Sequence, residues 1–156
     1  MKSHYQRLGR LLYGLKRYAE AQPVFSRLAI LVPEQVDPHT KLGLIALELG
    51  QHQSAAAHFR RALQITPDDA ALHRYLGVAL INQEKLEEAV EAFQLAVVKS
   101  RGRDAVAHNN LGSALARQGD LDGAVGHFEK ALQINPNYSE ARRNLAKAQQ
   151  ILKHSN

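Results

Sequence analysis

One short pattern recurs at a nearly fixed interval along the whole chain. Leu-Gly pairs stand at Leu8-Gly9, Leu42-Gly43, Leu76-Gly77 and Leu111-Gly112, spaced by 34, 34 and 35 residues. Twelve residues after each glycine comes Ala21, Ala55, Ala89 or Ala124, and four further on Phe25, Phe59, Phe93 or Phe128. Pro33, Pro67 and Pro136 follow eight residues later, with Arg101 at that place in the third unit. Self-similarity at this period marks a stacked array in which each unit buries its apolar face against the next.

The spacing inside a unit predicts two helices. In the second unit, Asp37-Pro38 is read as the opening of the first helix, with Asp as cap and Pro in the first turn. Gly50 closes that helix. A second helix is expected over residues 54–65, where Ala55, Phe59, Ala62 and Leu63 recur at three- to four-residue spacing. Thr66-Pro67-Asp68-Asp69 stops it and caps the next helix. In the fourth unit, Gly119-Asp120 separates a helix over 107–118 from one over 121–134. Pro23 is expected in the first turn of its helix, where a missing N–H costs little.

These residues resemble the tetratricopeptide repeat (TPR) family: an aromatic slot, then Leu-Gly, then Ala-x3-Phe, then Pro. Four matches in register cover Lys2 to Tyr138. Tyr5 keeps the first aromatic slot, while His39, His73 and His108 occupy it in the other units. The resemblance implies an all-α, right-handed superhelical α-solenoid of four helix-turn-helix repeats, at about residues 2–35, 36–69, 70–104 and 105–138. Residues 139–153, with Leu145-Ala146 in the Leu-Gly register, form a polar capping helix, and the whole is one domain over 1–153. Met1 stands directly before the first repeat, as in a piece cut from a longer protein. The first helix carries Tyr5, Leu8, Leu11, Leu12 and Leu15 on several sides with no preceding unit. Unit one is therefore expected to be the weakest, with either self-association through it or a missing upstream segment as the expected reason for its apolar surface.

Composition excludes several classes. Cys is absent, which removes disulfides and thiolate metal sites. No apolar run approaches the roughly 20 residues that span a bilayer, and the cytoplasm is the default placement. The histidines at one repeat slot are a whole helical pair apart and cannot converge on one ion, so no metal and no cofactor is expected. No nucleophile elbow, P-loop or dinucleotide motif occurs, and no catalytic residue is assigned.

The family resemblance implies that the first helices line a concave groove. Its candidate peptide-binding residues are Arg7, Arg10, Tyr13, Lys41, Leu44, Arg74, Tyr75, Val78, Asn109, Asn110, Ser113, Arg117, Arg143, Asn144 and Lys147. Seven of these are cations, against Glu48 on the same face, whereas the whole chain has 20 cations to 15 anions. Asn109, Asn110 and Asn144 are read as amides able to hold an extended backbone. The chaperone-type carboxylate clamp of Lys, Asn and Arg fits neither register of three units.

The sequence is thus that of a non-catalytic scaffold that holds an extended or helical, acidic or amphipathic peptide of another protein. Two alternatives stand beside it. One is the regulatory or substrate-recruiting portion of a larger enzyme, such as a glycosyltransferase. The other is nucleic-acid binding through the basic groove, against which count the few groove aromatics, Tyr13 and Tyr75.

Overall fold

The computed structural model describes residues 2–154, and over these the chain is a row of helices: α1 (Lys2–Gly14), α2 (Tyr18–Leu31), α3 (Val36–Glu48), α4 (His52–Ile65), α5 (Ala70–Ile81), α6 (Leu86–Lys99), α7 (Ala105–Gln118), α8 (Leu121–Ile134) and α9 (Ser139–His154). Each packs on its neighbours in sequence, and α7 also meets α9. The result is the α-solenoid of four helical pairs and a last single helix. Met1 lies outside the described residues.

The core is a seam that runs the length of the array. Phe25, Phe59, Phe93 and Phe128 are all at most 2% exposed, and Ala21, Ala55, Ala89 and Ala124 are at 0%. Each ring packs closely against the glycine of its own unit. A Cβ placed on Gly43 or Gly77 would come within 2.5 Å of the Phe59 or Phe93 ring, and one on Gly112 within 2.8 Å of Phe128. At Gly9 the nearest ring atom is 3.1 Å away, so the first unit is the loosest of the four.

Capping follows the acidic residues of the turns. Asp69 accepts from the Ala71 and Leu72 amides, Asp104 from Val106 and Ala107, and Asp120 from Gly123. Three local expectations are corrected. Helix α3 starts at Val36, so Asp37 sits in its first turn beside the exposed amides and makes no cap bond. Helices α4 and α7 each begin two residues earlier than expected, the latter because Asp104 caps it. Pro23 lies in the second turn of α2, not the first, with its ring exposed; the Ala19 carbonyl loses its usual amide partner and the helix still runs on to Leu31.

The turn inside each unit needs a left-handed residue. Gly50 (φ +71°) and Gly119 (φ +90°) supply it in units two and four, but Lys16 (φ +58°) and Glu84 (φ +61°) stand there in units one and three. The extra residue after unit three is taken up by a second left-handed pair, Arg101 and Gly102.

Among the described residues no helix covers the outer side of unit one. Leu11 is 59% exposed, whereas Ile45, Ala79 and Ala114, its equivalents in the later units, are at 0%. Leu15 is 57% exposed on the same side.

The ring contacts decide the sign of a glycine substitution. Alanine gains about 1 kcal/mol of helix propensity over glycine, but forcing a ring aside costs about 1–3 kcal/mol. Gly77→Ala is expected to lower stability by about 1–2 kcal/mol, while Gly9→Ala, with its ring farther away, is expected to be neutral or stabilising. Urea melts of the two variants check this; equal loss in both would remove the interlock from the explanation.

Candidate peptide-binding surface

The groove residues fall on α1, α3, α5, α7 and α9, and the structure sorts them by how much each can offer a ligand. Arg7, Arg10, Arg117, Arg143 and Lys147 are exposed, and none makes an ion pair among the described residues. Lys41 Nζ stands 4.4 Å above the Tyr13 ring, and Tyr13 meets Tyr18 edge-on at 5.6 Å. Burial, then the neighbouring Tyr18, Glu48 and Tyr75, push the Tyr13 hydroxyl above its usual range, so it remains a neutral donor at physiological pH. Tyr75 stacks on Phe59 at 5.5 Å, and Leu44 and Val78 are half-buried beside it.

Three of the expected ligand contacts, Arg74, Asn109 and the Asn144 amide donor, are instead spent inside the fold. Arg74 gives Nε to Asp104 Oδ2 at 3.1 Å and lies over the Tyr75 ring at 4.8 Å. Both members of the pair are only 20–23% exposed. Because Asp104 also caps α7, Arg74 ties unit three to unit four. Asn109 is wholly buried: Nδ2 reaches Glu140 Oε1 at 3.2 Å and Tyr138 Oη at 3.4 Å, and Oδ1 accepts from Asn144 Nδ2 at 3.0 Å. Its amide holds α9 against α7 and has nothing left for a peptide. Asn110 stays half-buried at the surface.

Four of the candidates converge. Ser113, Arg117, Asn144 and Lys147 form the polar wall of a cleft of about 320 Å³ between α7, α8 and α9. Its floor is apolar, with Phe128 and Ala148 at the base. The wall carries two cations and the lining no carboxylate. Such a cleft can hold an apolar side chain while the rim meets a negative charge.

The histidines have a role that the repeat slot alone did not reveal. His39 Nε2 lies 3.2 Å from the Pro33 carbonyl and His73 Nε2 2.8 Å from that of Pro67; His108 bonds the Gly102 backbone. Arg142, at the same slot of α9, donates to the Pro136 carbonyl at 2.6 Å. Each ties a first helix to the turn before it. The six-residue spacing back to the turn carried this signal in the sequence. His108 Nδ1 also lies 2.9 Å from Nδ1 of His127. No group of three or more metal-ligating side chains occurs among the described residues.

The profile of the tetratricopeptide repeat family matches residues 7–70, 66–105 and 76–139. The chain belongs to that family, whose members are generally non-catalytic scaffolds. Among curated proteins, the peroxisomal targeting signal receptor of Eremothecium gossypii is 36% identical over 87 residues, 54% of this chain but 15% of the receptor. The chain thus matches only a small part of that relative's length. Among solved structures, MamA superposes with a TM-score of 0.88 at 21% identity, covering 96% of this chain and 81% of that one. YrrB, described as a TPR protein with an unusual peptide-binding site, gives 0.83 at 24%, covering 92% and 73%. These two likenesses establish the fold. None of the described helices is long and apolar enough to cross a membrane.

Burial holds the His108 and His127 rings below the ordinary imidazole range; Lys130 adds to this at His108, and the charge of His108 adds to it at His127. The unfolded chain, titrating near 6.5, then takes up protons before the folded one. Stability is therefore unaffected above that value and falls as pH drops below it. The melting temperature is expected to fall between about pH 7 and pH 5.5, and His127→Gln to make the slope shallower. An unchanged slope in that variant would exclude the pair as its source.

Proposed function

We propose that this TPR chain is a non-catalytic interaction module whose concave face holds an extended peptide segment bearing carboxylates and apolar side chains. The observation that carries this reading is the α7–α9 cleft, where unpaired Arg117 and Lys147 stand above an apolar floor. An apolar side chain fills the floor, and a neighbouring carboxylate meets the cations without having to break an existing ion pair. Lys41, Arg10 and Arg7 continue the positive face toward unit one. The relatedness to a targeting signal receptor and the likeness to a TPR protein with a peptide-binding site agree with it. The uncovered Leu11 and Leu15 support a second contact, self-association through unit one.

The test is a charge-reversal comparison with a peptide library rich in Asp, Glu and Leu, read by fluorescence anisotropy. Reversing Lys41, Arg117 and Lys147 to Glu is expected to weaken the best binder well over tenfold, since each lost contact costs on the order of 1 kcal/mol. Reversing Arg27, Arg103 and Lys130, which make no ion pair among the described residues, changes net charge equally and is expected to matter little, because exposed charges are screened within about 10 Å. Equal loss in both variants would favour a general positive field and, with RNA as probe, a nucleic-acid ligand. Arg74 is left out of the reversal because its loss would unpair Asp104 and unsettle the fold.

A further inference from the structure

Two exposed apolar surfaces depart from the repeat, and their charges are opposite. The first is the outer ridge of α1. In the later units its positions are buried under the preceding pair: His4 corresponds to Pro38, Leu72 and Ala107, and Leu11 to Ile45, Ala79 and Ala114. In unit one His4, Leu11 and Leu15 are exposed, and Arg7 stands among them on the same ridge. Helix α1 carries Lys2, Arg7 and Arg10 and no acidic residue.

The second surface lies on the convex side of unit three. The residue before Phe93 is Ala92, where the other units have Val24, His58 and His127. Beside this small side chain lies a cleft of about 190 Å³ between α4 and α6, walled by Leu63, Leu76, Leu80 and Leu95. Helix α6 brings Glu88, Glu91 and Leu95 to it, and Val98 continues that row. Leu95 is 43% and Val98 67% exposed. At the place of Leu95 the other units carry the cations Arg27, Arg61 and Lys130; at that of Glu91 they carry Pro23, Ala57 and Gly126. Glu91 makes no ion pair among the described residues. Single exposed apolar side chains are ordinary, but these two rows match in spacing. Residues 4, 7, 11 and 15 advance by three, four and four, and residues 88, 91, 95 and 98 by three, four and three. Side by side and parallel, the rows set Arg7 against Glu91, Leu11 against Leu95 and Leu15 against Val98. The antiparallel arrangement sets Arg7 against Leu95 and Leu11 against Glu91.

We propose that the α1 ridge of one copy of this chain docks in the α4–α6 cleft of a second copy. This rests on self-association through unit one and names the surface that receives it. Leu11 enters the cleft beside Leu95, and Arg7 meets the unpaired Glu91 at the rim. Two copies joined α1 to α1 would instead bring their cations together, with no carboxylate on that helix to offset them. Because ridge and cleft are different surfaces, the contact is heterologous. A pair joined in this way keeps one free ridge and one free cleft, so it grows into rows or closes into a ring.

The test is sedimentation velocity of the full chain over a concentration series, at low and at high salt. The unsubstituted chain is expected to form oligomers that grow with concentration and weaken with salt, since the contact pairs opposite exposed charges. Leu95→Arg, which copies the residue type of the other units, and Leu11→Asp are each expected to weaken association about tenfold or more. Mixed together, these two variants are expected to stop at dimers, because one supplies an intact ridge and the other an intact cleft. Exchanging the charges, Arg7→Glu with Glu91→Arg, is expected to restore what either change alone removes. Undiminished association of Leu95→Arg beside a monomeric Leu11→Asp would overturn docking in the cleft and leave self-association through unit one standing. A chain monomeric at every concentration would overturn both. Should Leu11→Asp disturb the first pair, Leu95→Arg and the charge exchange, all at exposed positions, decide the matter.

Discussion

A phenylalanine ring lying against a glycine of the paired helix is the contact on which this structure depends. It sets how closely the two helices of a unit approach, because no other residue than glycine leaves the ring its place at Gly43, Gly77 and Gly112. The small alanines at 21, 55, 89 and 124 complete that close approach and are buried without exception. Once the pairs have a fixed spacing, their remaining apolar faces match the next pair, and stacking follows. In such an array each unit is stabilised only by its neighbours. Unit one, with a looser ring contact at Gly9 and uncovered Leu11, receives the least.

The helical pairs and their order could be read from the sequence because one pattern is repeated in register, and each copy supports the others. The cap at Asp69 was legible for the same reason. Single-copy features were not. Pro23 looked like a helix start, but Arg17 and Glu20, ion-paired at 2.6 Å, begin the helix a turn and a half earlier. The left-handed turn at Glu84 is invisible because glycine marks that slot in only two units. In the candidate site, the family resemblance named inner-face residues of which Ser113, Arg117, Asn144 and Lys147 line one cleft. It could not show which of them were already engaged. Arg74 is neutralised by Asp104 and Asn109 is buried by Tyr138, Glu140 and Asn144; of these partners only Asn144 belongs to the stretch of helix that the pattern describes.

The same bridging residues explain why the C-terminal half offers the better-formed surface. Arg74–Asp104 and the Asn109–Asn144 contact lock units three and four and the last helix to one another. A cleft between α7, α8 and α9 thus has walls held by buried hydrogen bonds, while its cations remain unpaired. Preorganised walls with free charges at the rim favour binding, since less ordering is needed when a ligand arrives. Toward unit one the charges persist but the scaffold beneath them is less well packed.

Residue-resolved amide hydrogen exchange tests most directly whether neighbour stacking over the phenylalanine–glycine contacts holds the array together. The account predicts the slowest exchange in α4 to α7, which have units on both sides, and the fastest in α1 and α2, with α9 intermediate because Asn109 anchors it. Uniform protection along the chain, or greater protection in α1 than in α5, would contradict it.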